Sequence, residues 1–318
     1  MMQTTLTELF SIRVPVVLAP MGSVAGGALA AAVSQAGGLG LIGGGYGDAQ
    51  WLGRELDAAG SAGVGVGFIT WSLDRNPALL DLALERSPAA ILFSFGDFTP
   101  YVDRVRAAGA RVIAQVQQVG DAVAAARAGA DVIVAQGTEA GGHGAPQRST
   151  FALVPAIADA VAPTPVVAAG GIADGRGLAA ALMLGAAGAM VGTRFFASDK
   201  ALGHPALKQA IAAGRGDDTL RTRVFDIVRG YHWPAPYTGR VLGNGFTARW
   251  HEDEAGLRDD LARQRPAFWD AYAQGDTDTA VVFCGEAIDL IAEVEPAGRI
   301  LEQIVRQAQT LLTGGAKP

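Results

Sequence analysis

Short apolar runs bounded by glycine or proline recur along residues 14–192. Each run is almost continuously hydrophobic rather than alternating, which is typical of parallel strands that are covered on both faces. The pattern predicts eight strands, which are Val14–Leu18, Leu39–Gly43, Val64–Ile69, Ala90–Phe93, Arg111–Val116, Asp131–Ala135, Pro165–Ala168 and Ala189–Gly192.

Alanine-rich segments with helical spacing separate these runs, and several end in glycine directly before the next strand, as a helix C-terminus requires. Strands that alternate with helices in this way predict an α/β protein built on a (β/α)8 TIM barrel. The competing fold, a doubly wound sheet, would carry G-x-G-x-x-G after its first strand. This chain has Ala19-Pro20-Met21-Gly22-Ser23-Val24-Ala25-Gly26 there, so the barrel is favoured.

The regular alternation ends near residue 198, which predicts three parts of the chain. We expect the barrel in residues 1–198 and a smaller, largely helical substrate-side element in residues 199–280. The last part, residues 281–318, contains one amphipathic helical stripe over about 296–312 and is expected to pack back on the barrel. Within the second part, residues 221–250 hold five arginines and one aspartate. They either face the barrel mouth and attract an anionic substrate, or form a solvated surface or subunit contact.

Composition excludes several classes of protein. Half of the residues are hydrophobic and the net charge is −6, which excludes a disordered chain and argues against a dedicated nucleic-acid or anionic-membrane binder. A single cysteine, Cys284, excludes internal disulfides, and the histidines lack metal-ligand spacing, so we expect no metal. We expect a soluble, cytoplasmic protein without a signal peptide or membrane span. A homodimer is compatible with the sequence.

Two glycine-containing loops follow the last two predicted strands, where barrels bind phosphate groups. Gly170 and Gly171 follow the seventh strand, and Gly192 and Thr193 follow the eighth. Glycine lets the backbone approach an anion, and the helix after the seventh strand would present free N–H groups. The loops therefore predict a phosphate site, although each could also be a plain turn.

The sixth predicted strand continues into a glycine-rich loop that ends in Gly141, Gly142 and His143. Such a loop allows a flat ring to lie against the backbone, and a neutral imidazole above it can accept or donate a proton near pH 7. On the fifth strand, Gln115 and Gln117 alternate with apolar residues. One of them is expected to point into the barrel mouth, and Gln117 is equally well explained as a satisfied core glutamine or as one on the outer face.

These segments together resemble the nitronate monooxygenase family, formerly called 2-nitropropane dioxygenases, over essentially the whole chain. The resemblance is carried by Ala19-Pro20-Met21, Ala36-Gly37-Gly38-Leu39-Gly40, the segment from Gln136 to His143, the segment from Ala169 to Gly175, Gly192-Thr193-Arg194-Phe195 and Gly275-Asp276-Thr277-Asp278. It implies FMN as the cofactor and His143 as the catalytic residue. By the same resemblance, the FMN-binding residues are Pro20, Met21, Gly22, Gln115, Gln136, Gly141, Gly142, Gly170, Gly171, Gly192 and Thr193. Many relatives carry asparagine where this chain has Gly67, so a flavin contact is lost or replaced there.

The activity that the resemblance implies is oxidative denitration of an alkyl nitronate by O2, which yields a carbonyl compound and nitrite. A nitronate or nitroalkane and O2 are then the expected partners. FMN-dependent reductases of quinones or of enoyl-acyl-carrier-proteins share the same segments, so an NAD(P)H-dependent reductase is the first alternative. A flavin-binding barrel without turnover is the second.

Overall fold

The computed structural model describes residues 2–314, so Met1 and residues 315–318 of the two outer predicted parts lie outside the described chain. Eleven strands occur within residues 2–314: Val16–Leu18 (β1), Gly40–Gly43 (β2), Val64–Ile69 (β3), Ala90–Ser94 (β4), Arg111–Val116 (β5), Val132–Gln136 (β6), Gly142–Gly144 (β7), Val166–Ala169 (β8), Gly188–Val191 (β9), Thr219–Thr222 (β10) and Thr238–Leu242 (β11).

Sixteen α-helices occur within the same residues. They are Thr5–Phe10 (α1), Gly27–Ala36 (α2), Ala49–Ala59 (α3), Thr70–Leu73 (α4), Ala78–Leu84 (α5), Val102–Ala107 (α6), Val119–Ala128 (α7), Thr150–Val161 (α8), Gly175–Met183 (α9), Thr193–Phe196 (α10), Pro205–Ala213 (α11), Val224–Arg229 (α12), Gly245–Trp250 (α13), Glu254–Asp259 (α14), Leu261–Gln274 (α15) and Ala297–Leu312 (α16). Short 3₁₀ turns cover Thr99–Tyr101, Gly216–Asp218 and Glu286–Leu290. No helix of the described chain is both long and apolar enough to cross a membrane.

Eight parallel strands form the barrel, in the order β1-β9-β8-β6-β5-β4-β3-β2. The two ends of this order meet, because the Leu18 N–H donates to the Leu39 carbonyl at 2.9 Å and the Leu39 N–H donates to the Val16 carbonyl at 3.0 Å. The predicted TIM-barrel fold is therefore confirmed, and each predicted strand overlaps an observed one.

The barrel strands are apolar on both faces because each face packs against a separate layer. Alternate side chains such as Val17, Leu92 and Val134 fill the barrel interior, and the others pack under the surrounding helices. Leu6 of α1 belongs to the interior cluster, so α1 covers the N-terminal end of the barrel. The C-terminal ends of the strands are the end where barrel enzymes place their sites.

Residues 199–280 are largely helical, as predicted, with five α-helices, and they also contain a β-pair. Strands β10 and β11 are antiparallel, and β11 also pairs with β7, with Gly239 opposite His143. Strand β7 belongs to the loop that follows β6, so this three-stranded sheet joins the barrel to residues 199–280, which we call the cap. The cap has its own apolar core, which includes Phe225, Phe246 and Phe268.

The C-terminal helix α16 packs against α2 and α9 on the outside of the barrel. The contact with α9 is close, because a Cβ at Gly175 would lie 2.5 Å from the Ile304 carbonyl oxygen. A buried ion pair between Arg194 and Glu295 links the end of the barrel to the segment before α16. The division of the chain at residues 198 and 280 stays our proposed one.

Candidate active site

A cleft opens at the C-terminal ends of the barrel strands, beneath the cap. All of the residues that the sequence singled out for catalysis or cofactor binding line it, which are Pro20, Met21, Gly22, Gln115, Gln136, Gly141, Gly142, His143, Gly170, Gly171, Gly192 and Thr193. The fold thus brings together residues that are spread over more than half of the sequence.

One end of the cleft offers backbone donors for an anion. Gly170 and Gly171 have φ angles of 105° and 70°, a left-handed conformation that favours glycine. Among the described residues, the N–H groups of Gly171, Ile172 and Thr193 donate no hydrogen bond to the protein. The Thr193 hydroxyl accepts from the Gly285 N–H at 2.9 Å, which leaves its own proton for a ligand.

The helix after β8 does not contribute as the sequence suggested. The Asp174 carboxylate accepts from the N–H groups of Arg176 and Gly177, and the Gln307 side chain accepts from the Gly175 N–H at 2.7 Å. The first turn of α9 is therefore already capped by the protein. The donors for an anion lie in the loop before α9 and after β9.

Gly192 marks space that the protein leaves open. A Cβ built on Gly192 would make only ordinary contacts, at 3.5 Å from the Ala19 Cβ and 3.6 Å from the Met21 sulfur. Both neighbours line the cleft, so a side chain at this position would fill the cleft itself. A phosphate held by backbone N–H groups fits this cradle.

The glycine-rich loop after β6 is shaped mainly by contacts within the protein. A Cβ at Gly137 would lie 2.2 Å from the Thr150 hydroxyl, and one at Gly141 would lie 2.5 Å from the Cys284 carbonyl carbon. Gly142 differs, because its φ is 71° and no atom lies within 4 Å of the Cβ position. Of these three glycines, only Gly142 leaves room for a ring against the backbone.

Three glutamines form a hydrogen-bonded cluster at the base of the cleft. Gln115 and Gln117 donate from their amide nitrogens to the Gln136 Oε1 at 3.1 and 2.8 Å. Gln136 in turn donates to the His143 carbonyl oxygen at 3.0 Å. Gln115 reaches the cleft and Gln117 is buried behind it, which answers the choice that the sequence left open.

His143 is held by a carboxylate that the sequence did not reveal. Its Nε2 lies 2.9 and 3.0 Å from the two carboxylate oxygens of Asp226, and the two side chains are 8% and 6% exposed. The Trp233 ring stacks on the imidazole, with 3.6 Å between centroids and 4° between planes. Asp226 is the one acidic residue in the arginine-rich segment 221–250, and this contrast is the feature of the sequence that could have marked it as a site residue.

The charge state of this pair follows from its surroundings. Burial lowers the pKa of His143 and outweighs the opposing effect of Asp226, while the charges of Arg229 and Arg221 lower it further. His143 is therefore neutral at pH 7. Because the Asp226 carboxylate accepts a hydrogen bond from Nε2, the ring proton lies on Nε2 and Nδ1 keeps its lone pair. Nδ1 has no hydrogen-bond partner among residues 2–314.

Aromatic side chains from the barrel loops and the cap form the wall around His143. Tyr46 stacks on Tyr231 with 3.7 Å between ring centroids, and the Trp233 Nε1 donates to the Tyr46 hydroxyl at 3.1 Å. Burial raises the pKa of Tyr46 to about 12, so this phenol stays protonated. Phe95 completes the wall with an unusual φ of 63° and an edge-on contact to Trp233.

The arginine-rich segment divides into one residue that lines the cleft and four that do not. Arg229 lines the cleft, and the four that do not line it are Arg221, Arg223, Arg240 and Arg249. Arg221 is a structural residue, since it donates to three backbone carbonyls, and Arg223 is exposed. The net positive charge of the segment is therefore not a measure of charge at the site.

Gly67, where the resemblance led us to expect asparagine, faces the turn after β1. A Cβ at Gly67 would lie 2.3 Å from the Pro20 Cγ. Pro20 thus occupies the space that a side chain at residue 67 would need. An asparagine here would require the Pro20 turn to shift.

This TIM barrel carries hydrogen-bond donors for an anion in the loops after β8 and β9, and a neutral buried histidine lies in the same cleft. These features define an enzyme scaffold. The sequence model described as nitronate monooxygenase matches residues 3–62 and 74–307. Nitronate monooxygenase npaC of Metarhizium robertsii is 36% identical, over 94% of this chain and 92% of that protein. A nitronate monooxygenase of Neurospora crassa is 34% identical, over 96% of this chain and 93% of that protein.

Solved structures share this fold over nearly the whole chain. FabK from Thermotoga maritima superimposes with a TM-score of 0.86 at 32% identity, covering 99% of this chain and 98% of that chain. A nitroalkane oxidase from Streptomyces ansochromogenes gives a TM-score of 0.83 at 28% identity, covering 97% and 99%. The chain belongs to the nitronate monooxygenase family, a family of oxidoreductases, and this membership implies a flavin.

Proposed function

We propose that the protein is an FMN-dependent nitronate monooxygenase, which converts an alkyl nitronate and O2 to a carbonyl compound and nitrite. The observation that carries the proposal is the neutral His143, whose unpaired Nδ1 shares one cleft with an anion cradle. Retention of a cofactor needs no such base. A base and an anion cradle in one cleft therefore favour an enzyme over a flavin-binding barrel without turnover.

The residues present fit FMN. Its phosphate would be held by the loop of Gly170 and Gly171 and by Gly192 and Thr193, and its ring by Pro20, Met21, Gly22, Gln115, Gln136, Gly141 and Gly142. The chemistry that bound FMN supplies is the one-electron oxidation of the nitronate, after which O2 completes the denitration.

His143 acts on the substrate. In the neutral state its Nδ1 can accept the proton from the carbon next to the nitro group of a nitroalkane. The imidazolium that forms donates from Nε2 to the Asp226 carboxylate, which stabilises its charge. A preformed nitronate needs no proton removal, so it does not require His143 as a base.

The direct test is nitronate-dependent oxygen uptake by the purified protein, together with nitrite formation. We expect the protein to be yellow and oxygen uptake to require nitronate. The competing activity is tested by mixing the protein with NADH in the absence of oxygen. Rapid bleaching of the flavin would contradict the proposal and favour an NAD(P)H-dependent reductase.

Replacing Asp226 by asparagine is expected to move the pH profile. The Asp226 carboxylate raises the pKa of His143 against the effect of burial. Its removal should lower that pKa, so His143 stays neutral down to a lower pH in the variant. The acidic limb of kcat/KM for a nitroalkane should therefore shift to lower pH. The plateau should fall about ten- to hundredfold, because a charge-assisted hydrogen bond worth ~1.5–3 kcal/mol is lost. A shift of the limb to higher pH would refute this role of Asp226.

A further inference from the structure

Arg229 lies in the aromatic wall of the cleft without any partner for its donors. Its guanidinium sits over the rings of Tyr231, Phe283 and Tyr46, at 4.6, 5.4 and 5.6 Å from their centroids. Its Nη1 is buried and unpaired, and the Arg229 side chain makes no hydrogen bond or ion pair with another residue in 2–314. A buried polar group without a partner requires an explanation.

Two other arginines that are buried or partly buried use their donors inside the protein. Arg221 donates to the carbonyl oxygens of Thr138, Gly144 and Thr238. Arg194 forms its buried ion pair with Glu295. Arg229 is held instead by aromatic faces, which stabilise its charge without acting as ordinary acceptors. Its Nε and Nη2 are neither paired nor buried, so these two donors are available to something that enters the cleft.

We propose that Arg229 is the anion-binding residue of this site and that its ligand is a planar oxyanion with two oxygens on one atom. A guanidinium presents parallel N–H groups that match two such oxygens. A nitronate carries its negative charge on two oxygens of one nitrogen, so it has this geometry. Naming the oxyanion as a nitronate rests on the proposed function, whereas the oxyanion site itself does not.

The location of Arg229 gives this contact a consequence for selectivity. Both Arg229 and His143 line the cleft, and the charge of Arg229 is close enough to lower the pKa of the histidine. An anion that forms at His143 by proton removal would therefore form beside a cation. Neutral substrates such as quinones or thioesters gain little from this cation, so it favours anionic substrates.

The test measures the affinity for nitrate, a planar oxyanion that is not oxidised, by calorimetry on the purified protein in phosphate-free buffer. Arg229→Gln should weaken nitrate binding about ten- to hundredfold, because it removes charge-assisted hydrogen bonds. Arg223→Gln is the matched control, since it removes the same charge from an exposed position in the same segment. It should change nitrate affinity less than about twofold, because exposed charges are screened by salt.

Kinetics provide a second measurement. KM for a nitronate should rise in Arg229→Gln, while KM for the neutral nitroalkane should stay nearly constant. Arg229→Lys keeps the charge but cannot make two parallel hydrogen bonds, so its nitrate affinity should fall between those of the wild type and the glutamine variant. If the glutamine variant does not fold, the lysine variant decides, and wild-type affinity in it would overturn the proposed contact.

The outcomes separate this inference from the proposed function. Equal nitrate affinity in Arg229→Gln and the wild type would overturn the inference, and so would equal weakening in Arg229→Gln and Arg223→Gln. Nitrate binding that depends on Arg229, in a protein that does not oxidise nitronates, would contradict the proposed function and leave the oxyanion site in place.

Discussion

His143→Ala is expected to keep its flavin and to lose about 10²–10⁴-fold of kcat/KM with a neutral nitroalkane, the range typical of a general base. The flavin stays because His143 contributes no donor to the anion cradle. The loss should be milder with preformed nitronate, for which proton removal is unnecessary. Parallel oxygen-uptake assays with the two substrates measure the difference.

The control for this variant is His232→Ala. His232 is exposed and directly precedes Trp233, so its removal tests for damage to the aromatic wall without touching the imidazole. The control should retain wild-type kinetics. A loss smaller than about threefold in His143→Ala with nitroalkane would exclude His143 as the base.

Gly192→Val should lose FMN, with its dissociation constant raised by more than about tenfold, or 1.4 kcal/mol. The valine side chain would extend past Ala19 and Met21 into the space that we assign to the phosphate. Gly192 is a sharper test than Gly171, where the φ of 70° would strain any side chain. Flavin absorbance per protein, followed by titration with added FMN, measures the effect.

Gly63→Val is the matched control for the cradle. Gly63 is exposed, precedes β3, and has no atom within 4 Å of its Cβ position. The same substitution there should leave the flavin content unchanged. If Gly192→Val binds FMN as tightly as Gly63→Val, the phosphate lies elsewhere.

The barrel was predictable because its pattern is local. A strand covered on both faces must be apolar throughout, and each helix must end before the next strand, so every unit carries its own signal. Strand β7 was not predictable, since Gly142–Gly144 becomes a strand only by pairing with β11, nearly a hundred residues later in the chain. The cap is largely helical, as expected, but its strands β10 and β11 were not predicted.

The candidate site shows the same limit. Glycines in loops after strands can be recognised one loop at a time, and the loops after β8 and β9 do offer donors. Why glycine is needed at each position was only partly predictable, because Gly137 and Gly141 are required by close packing against residues elsewhere in the chain. Asp226 lies 83 residues from His143, and no spacing rule links positions so far apart. Arg229 could not be told from its neighbouring arginines until their partners were known.

Through the three-stranded sheet of β10, β11 and β7, both the barrel and the cap build the surroundings of His143. The barrel loop supplies the imidazole, but the cap supplies its carboxylate, its stacking tryptophan and the strand beside its backbone. In a chimera that joins this barrel to the cap of a relative, the basicity of His143 would be inherited from the cap donor. Recombination at residue 198 would therefore change the pKa of His143 together with the substrate contacts. The anion cradle would stay unchanged, because its residues belong to the barrel.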